Sequence, residues 1–192
     1  VQKYNNKILL NEVKLFSEWY ATKKINKFKI RKFKKVFENE VKKLLSKLNL
    51  KNDTFVHRDF HVSNLIYVKN NIAVIDSQDA LIGNKAYDLA SLVDDVRFET
   101  SNKLKNKILN NYFKKLKKTE VNKFVNDFEI LSVLRNLKII GIFMRLALRD
   151  NKKKYVKMIP YAWEMINYRM KKNREFVNLK LILKRNFPKF VK

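Results

Sequence analysis

Four polar side chains stand at the ends of short apolar runs in the middle of this sequence. His57 and Asp59 close the run TFVHRD, Asn64 opens NLIYV, and Asp76 closes IAVID. The runs are rich in β-branched and aromatic residues, which is typical of strands. The KNN between the last two runs predicts a hairpin turned at Asn70-Asn71, because Asn tolerates the positive φ of tight turns. Such a hairpin returns Asp76 to the neighbourhood of Asn64.

This spacing indicates a particular chemistry. Asp59 offers a carboxylate that accepts a proton, while Asn64 and Asp76 offer an amide and a carboxylate oxygen. Oxygen ligands of this kind suit Mg²⁺, which takes few protein ligands and completes its shell with water and phosphate. A proton-accepting Asp beside an Asn/Asp metal pair is the division of labour in kinase-type phosphoryl transfer.

A zinc site is the alternative for the two histidines. His57 and His61 are four residues apart, a spacing that places two ligands on one face of a helix. The flanking pattern is that of strands, however, and the sequence has neither a cysteine nor a third histidine. The residues therefore favour the magnesium interpretation.

Helices must position these runs. Apolar side chains recur at spacings of three and four over 7–22 and 28–49, and the lysines between them form solvated faces. Further helices are predicted at 86–97, 101–117, 119–149 and 174–186, and one that opens at Pro160. Trp19 and Tyr20 either stack on a sugar or base, or fill the core. The fold class is α+β and mostly helical, in a single domain over 1–192.

The formal net charge of +26 suggests a polyanion partner. Lysine supplies 35 of the 44 cations, however, and only 9 are the arginines suited to bidentate phosphate contacts. Abundant Lys, Asn and Ile with two glycines and two prolines is the composition that an AT-rich genome imposes on any protein. Nucleic acid is thus an unfavoured partner, and a non-catalytic basic module that binds polyanions is kept as an alternative.

Location and assembly follow from simple features. The sequence has no cysteine, and no apolar run approaches the ~20 residues of a membrane span. We expect a cytoplasmic monomer with no membrane partner.

The motifs carry a family resemblance. HRDFHVSN fits the H-x-D-x-x-x-x-N catalytic loop, IDSQD fits the metal-binding Asp that follows it, and AYDLASL comes next. Together they resemble the aminoglycoside phosphotransferase/choline kinase family, which has a protein-kinase-like fold. The residues of these motifs are similar to those of bacterial kinases acting on the anomeric hydroxyl of N-acetylmuramate and N-acetylglucosamine. The segments LFSEWY and RNLKIIGIFMRLALRD also have counterparts in those kinases.

The resemblance implies roles residue by residue. Asp59 is the catalytic base, and Asn64 and Asp76 are Mg²⁺ ligands, with ATP as co-substrate. His57 supports the catalytic loop. Asp88 of AYDLASL is expected to be a structural carboxylate that caps or holds this loop.

Four further residues have open roles. His61 contacts phosphate or sugar, or packs. Arg58 contacts phosphate or sugar, or pairs with Asp79 or Asp88. Gln78 and Asp79 hydrogen-bond a sugar, or organise the turn after Asp76.

The resemblance also implies a second lobe. Members of the family have an amino-terminal lobe with a nucleotide-covering loop and a strand Lys, and no such segment precedes residue 53. The chain is therefore expected to be a carboxy-terminal lobe whose small hairpin carries the site, either as a fragment or as a degenerate relative. Alone it is expected to have little activity. The expected reaction is phosphoryl transfer from ATP to an N-acetylated amino sugar of cell-wall recycling; the alternatives are an aminoglycoside, choline or another sugar.

Overall fold

A computed structural model describes residues 2–171 and 173–191. The chain divides into two compact units. The first unit contains the residues up to Asn5 together with Leu48–Ser132, and the second contains Asn6–Lys47 and the chain from Val133 onward. The architecture is mostly helical α+β with two small antiparallel sheets, which confirms the predicted class.

The first unit contains the four strands found in the described residues. In chain order they are β1 (Asn52–Val56), β2 (Leu65–Val68), β3 (Asn71–Val74) and β4 (Leu81–Asn84). They are followed by helices α4 (Ala86–Val93) and α5 (Asn102–Phe113) and by the first half of α6 (Lys118–Arg149). Strand β1 pairs with β4, and β2 pairs with β3. The predicted strands and helices of this unit are present, and β4 is an addition to them. Three of them end earlier than predicted: β1 at Val56, α4 at Val93 and α5 at Phe113.

The β2–β3 hairpin is confirmed, with a turn displaced by one residue. Val68 pairs with Asn71, so Lys69 and Asn70 are the central turn residues, instead of the predicted Asn70-Asn71. Both have positive φ, 44° and 64°, as the twist of a two-residue hairpin demands. One of the two left-handed residues is therefore an Asn, and the other is a Lys that adopts this conformation because the turn requires it.

A buried carboxylate closes this unit. Asp127 on α6 has no exposed surface, and it accepts the backbone N–H groups of Asn49 and Leu50 at 2.8 and 2.9 Å. It also accepts Asn84 Nδ2 at 2.7 Å. One carboxylate thus fastens the segment that enters β1 to the end of β4, which sets the sheet that leads into the candidate site.

The second unit is helical. It begins with α1 (Asn6–Leu15), which passes through a π-helical segment (Phe16–Ala21) into one turn, α2 (Thr22–Lys24). It continues with α3 (Lys27–Ser46), the second half of α6, α7 (Ile159–Met170) and α8 (Val177–Asn186). The side-chain amide oxygen of Asn26 caps α3, and Pro160 lies in the first turn of α7 as predicted.

Aromatic packing forms the core of this unit. Phe16 contacts Tyr20, Phe37, Trp163 and Phe187 at centroid separations of 5.3–5.8 Å. Tyr20 is therefore a core residue, and its hydroxyl accepts Trp163 Nε1–H at 3.3 Å. Within the described ranges, no helix has both the length and the apolarity that a bilayer crossing requires.

Candidate functional site

The loop between β1 and β2 carries the predicted catalytic residues. It starts at His57, whose side chain is 3% exposed, and ends in a short 3₁₀ turn over Val62–Asn64. The His57 Nε2 atom lies 2.8 Å from the carbonyl oxygen of Ile75, directly after β3. One imidazole therefore ties the start of the loop to the residue that precedes Asp76.

Asp88 holds the same end of the loop. Its Oδ2 accepts the backbone N–H of His57 at 2.6 Å, and its Oδ1 accepts that of Arg58 at 3.0 Å. Arg58 has a φ of 73°, a left-handed conformation that costs a residue with a Cβ about 1–2 kcal/mol. The carboxylate compensates for this cost by hydrogen-bonding both neighbouring amides. The predicted support roles of His57 and Asp88 are consistent with these contacts.

The side chain of Arg58 turns to Asp79, but not to its carboxylate. Arg58 Nη1 donates to the carbonyl oxygen of Asp79 at 2.9 Å, and the guanidinium carbon lies 5.1 Å from the ring centre of Tyr4. Both expected partners of Arg58 are thus contacted: its guanidinium donates to the main chain of Asp79, and its backbone N–H donates to the carboxylate of Asp88. Asp79 itself is exposed.

Asp59 lies at the apex of the loop. Its carbonyl oxygen accepts the N–H of His61 at 3.0 Å and the Nδ2 of Asn64 at 2.9 Å. In the part of the chain that the structure describes, no hydrogen bond or ion pair engages its half-buried carboxylate. The main chain of Asp59 is thus fixed, while its carboxylate is left for another group.

The hairpin brings Asn64 and Asp76 together. The N–H of Ile75 donates to the carbonyl oxygen of Asn64 at 3.1 Å, which extends the β2–β3 ladder by one pair. Asp76 is the next residue, exposed and with a φ of 69°. A positive φ at a residue other than Gly is a strained conformation of the sort concentrated at functional sites. Gln78 Nε2 donates to Asp76 Oδ1 at 2.7 Å.

The donor chemistry of this pair fits magnesium. Because Asn64 donates through Nδ2 to Asp59, its Oδ1 is the end of the amide left to face a cation. Asp76 adds an exposed carboxylate, and water and phosphate oxygens would complete an octahedral shell. No group of three or more His, Cys, Asp or Glu side chains suited to a metal occurs in the described ranges. The candidate site therefore rests on this smaller set of one carboxylate and one amide.

One residue at the site escaped sequence reasoning. Asp95 follows α4, is almost fully buried, and its Oδ2 accepts the N–H of Val62 at 3.2 Å. His61, which precedes Val62 in the loop, is also buried. The only signal in the sequence was the pair of aspartates in LVDDVR, which a reading of α4 as a plain helix passes over.

Comparison with known proteins shows the family of this chain. A family model described as the phosphotransferase enzyme family matches residues 4–120, so the chain belongs to that family. The predicted resemblance is confirmed by curated relatives as well. The chain is 33% identical over 183 residues to an N-acetylmuramate/N-acetylglucosamine kinase of Neisseria meningitidis, covering 92% of this chain and 54% of the relative.

Two more relatives carry the same name. The protein of Pseudomonas aeruginosa is 27% identical over 186 residues, covering 92% of this chain and 54% of its own length. That of Caulobacter vibrioides is 32% identical over 114 residues, covering 57% of this chain and 31% of its own length. The chain spans about half the length of the first two curated relatives.

Proposed function

We propose that this chain forms the carboxy-terminal lobe of a protein-kinase-like fold and contributes to Mg²⁺- and ATP-dependent phosphoryl transfer. The acceptor is a hydroxyl of an N-acetylated amino sugar, of the kind recovered in cell-wall recycling. The observation that carries the proposal is the loop in which the Asn64 side chain binds the main chain of Asp59, while the hairpin holds Ile75, the residue before Asp76, against Asn64. Membership of the phosphotransferase enzyme family and the names of the relatives support the reaction and the acceptor.

Asp59 acts as the general base in this proposal. Its carboxylate takes the proton of the acceptor hydroxyl while the hydroxyl oxygen bonds to the γ-phosphorus. The bond from that phosphorus to the β–γ bridging oxygen breaks, and ADP leaves with the electron pair. The hydrogen bonds of His61 and Asn64 to the carbonyl oxygen of Asp59 fix its main chain, so the carboxylate approaches the hydroxyl without a large reorganisation.

Asn64 and Asp76 are the residues that would hold the cation. When bound, Mg²⁺ neutralises charge on the β- and γ-phosphates. The backbone bond between Ile75 and Asn64 keeps the two ligand-bearing residues adjacent across the hairpin. Gln78 Nε2 donates to Oδ1 of Asp76 and so orients that carboxylate, and Oδ2 of Asp76 would be the oxygen left for the ion.

The test uses the protein expressed from its complete reading frame. ADP release is measured with ATP, Mg²⁺ and N-acetylmuramate or N-acetylglucosamine, and the methyl glycoside with a blocked anomeric oxygen serves as the matched acceptor. We expect turnover with the free sugars and none with the glycoside. Turnover only with an aminoglycoside, choline or another sugar would leave the reaction class standing and refute the acceptor.

Asp59→Asn tests the role of the base. General-base removal slows such reactions about 10²–10⁴-fold, while ATP binding and the thermal unfolding midpoint are expected to remain those of the parent. Asp53→Asn is the matched control, because it removes one exposed carboxylate on β1, shortly before the catalytic loop, that has no part in the proposed mechanism. Equal losses of rate in the two variants would contradict the assignment of Asp59.

A further inference from the structure

Asp95 connects the end of α4 to the catalytic loop. Its carboxylate is 1% exposed. Oδ2 accepts the N–H of Val62 at 3.2 Å, while Oδ1 accepts the N–H of Arg97 at 3.0 Å and lies 3.4 Å from Arg97 Nη1. A buried carboxylate must be compensated by donors or cations, and one of the donors that compensate Asp95 belongs to the loop that carries Asp59.

The contact between Asp95 and Val62 matters because Val62 lies in the same short turn as Asn64. Val62 is the first residue of the 3₁₀ turn that ends at Asn64. The carbonyl oxygen of Val62 accepts the N–H of Leu65, so one hydrogen-bonded turn contains both Val62 and Asn64, and we expect a displacement at Val62 to shift Asn64. The turn is also held by the bond from the N–H of Asn64 to the carbonyl oxygen of His61, at 2.9 Å.

Two carboxylates therefore hold the loop at its two ends. Asp88, in the first turn of α4, binds the amides of His57 and Arg58, next to Asp59. Asp95, just beyond the end of α4, binds the amide at the start of the turn that leads to Asn64. The first contact lies nearer to the proposed base, and the second lies nearer to the proposed metal ligand.

The neighbouring aspartate faces a different environment. Asp94 is also fully buried, but its Oδ2 accepts Ser132 Oγ–H at 2.6 Å and its Oδ1 pairs with Lys105 Nζ at 3.3 Å. These partners belong to α6 and α5, not to the loop. Asp94 and Asp95 thus match in residue type and burial and differ in what they hold.

We propose that Asp95 is a positioning residue that sets the place of Asn64 and thereby the affinity for the magnesium ion. The proposal rests on the proposed function for its metal, but not for its geometry. Partners that orient a metal ligand typically account for about 10- to 100-fold in metal affinity. Asp88 acts instead on the segment of the base.

The first test needs no activity. Amide hydrogen exchange is followed by NMR in the 192-residue chain and in the variants Asp95→Asn and Asp94→Asn. We expect exchange at Val62 and Asn64 to accelerate tenfold or more in Asp95→Asn. The remaining oxygen should stay with the two donors of Arg97, so the amide nitrogen faces the donating N–H of Val62. In Asp94→Asn these two amides are expected to keep their rates, while amides of α5 accelerate. Unchanged rates in Asp95→Asn, or equal acceleration in both variants, would overturn the proposal.

The second test uses the enzyme from the complete reading frame. In Asp95→Asn the Mg²⁺ concentration for half-maximal rate should rise about 10- to 100-fold, with the KM for the acceptor sugar unchanged; Asp94→Asn should shift neither. A rise in KM without a change in the Mg²⁺ requirement would refute the positioning role. If the parent enzyme transfers no phosphoryl group, the proposed function fails while the exchange result still decides the geometry.

Val62→Pro replaces Asp95→Asn in both tests if Asp95→Asn does not fold, and the exchange test then follows the amide of Asn64 alone, because proline has no N–H. Proline removes the N–H that Asp95 accepts and leaves Asp95 bound to Arg97. The site tolerates the ring, because Val62 opens a helical turn and His61 before it is extended, with φ −136° and ψ 167°. The same increase in the Mg²⁺ requirement is expected, and a parent-like requirement would overturn the proposal.

Discussion

The strained backbone at Arg58 should depend on the carboxylate of Asp88. Asp88→Ala removes both acceptors from the amides of His57 and Arg58, which lie 2.6 and 3.0 Å from the Asp88 oxygens. A hydrogen bond to a charged group contributes about 1.5–3 kcal/mol, so the two bonds together contribute about 3 kcal/mol at the lower value. That exceeds the ~1–2 kcal/mol cost of the left-handed conformation, which explains why the loop keeps its shape in the parent.

A double-mutant cycle isolates this relation. Glycine adopts positive φ without a steric cost, so Arg58→Gly should relieve strain in the parent, where Asp88 holds the segment in that conformation. In Asp88→Ala the segment can leave the left-handed conformation, so the same substitution should relieve less strain there. Both variants that carry Arg58→Gly lose the contacts of the guanidinium with Asp79 and Tyr4. We expect the double variant to be about 1 kcal/mol less stable than the sum of the single effects.

The readout must report on the first unit. Both tryptophans, Trp19 and Trp163, lie in the second unit, so their fluorescence does not follow the loop. Native-state amide exchange at His57 and at residues of α4 gives the opening free energies of the four proteins directly. Asp88→Ala should lower the opening free energy at His57 by about 2–3 kcal/mol. Additive single effects would refute the argument that Asp88 offsets strain at Arg58.

Two further predictions concern the second unit. Gly141→Ala should lower the unfolding free energy by about 1–3 kcal/mol despite the better helix propensity of Ala, because the new Cβ would lie 2.3 Å from the carbonyl carbon of Leu15 and 2.4 Å from the nitrogen of Phe16. Urea unfolding followed by tryptophan fluorescence measures this change, with Leu148→Ala, at an exposed position, as control. A Gly141→Ala variant more stable than the parent would contradict the close approach. Burial raises the pKa of the Tyr20 hydroxyl above its ordinary value of 10, against a smaller lowering by its bond to Trp163, so stability present below pH 10 should be lost as the pH rises through the folded-state pKa. Tyr20→Phe should reduce the fall of the unfolding free energy between pH 9 and roughly pH 12, whereas Tyr67→Phe, at an exposed position, should not. Equal slopes of unfolding free energy against pH in the two variants would show that burial of Tyr20 does not cause the fall.

Local periodicity was enough to predict the helices, and motif order was enough to propose the candidate site residues. The helical stripes of α3 and α6 and the proline of α7 follow from spacings of a few residues, which sequence records directly. The spacing from Asp59 to Asn64, and the turn that leads to Asp76, lie within 18 positions, so a hairpin was sufficient to bring them together. The family resemblance rests on the same local stretch and is confirmed by the family match.

Two local details were not predicted, because the pairing of strands decided them. The tolerance of Asn for positive φ predicts a turn at Asn70-Asn71. The register of the β2–β3 pairing instead gives Lys69 the positive φ of the first turn residue. Strand β4 escaped because LIGN is short, contains a glycine, and gains its strand character from pairing with β1 some thirty positions earlier.

By itself, the sequence determined which residue types stand at the catalytic loop and in which order. Only the tertiary structure decided what holds them. Asp88, Asp95 and Asp127 act on amides 30 to 78 positions away in the chain, and no periodicity links a carboxylate to such a partner. The physical reason is that a buried carboxylate is stable wherever donors converge, and the convergence of donors is a property of the folded chain.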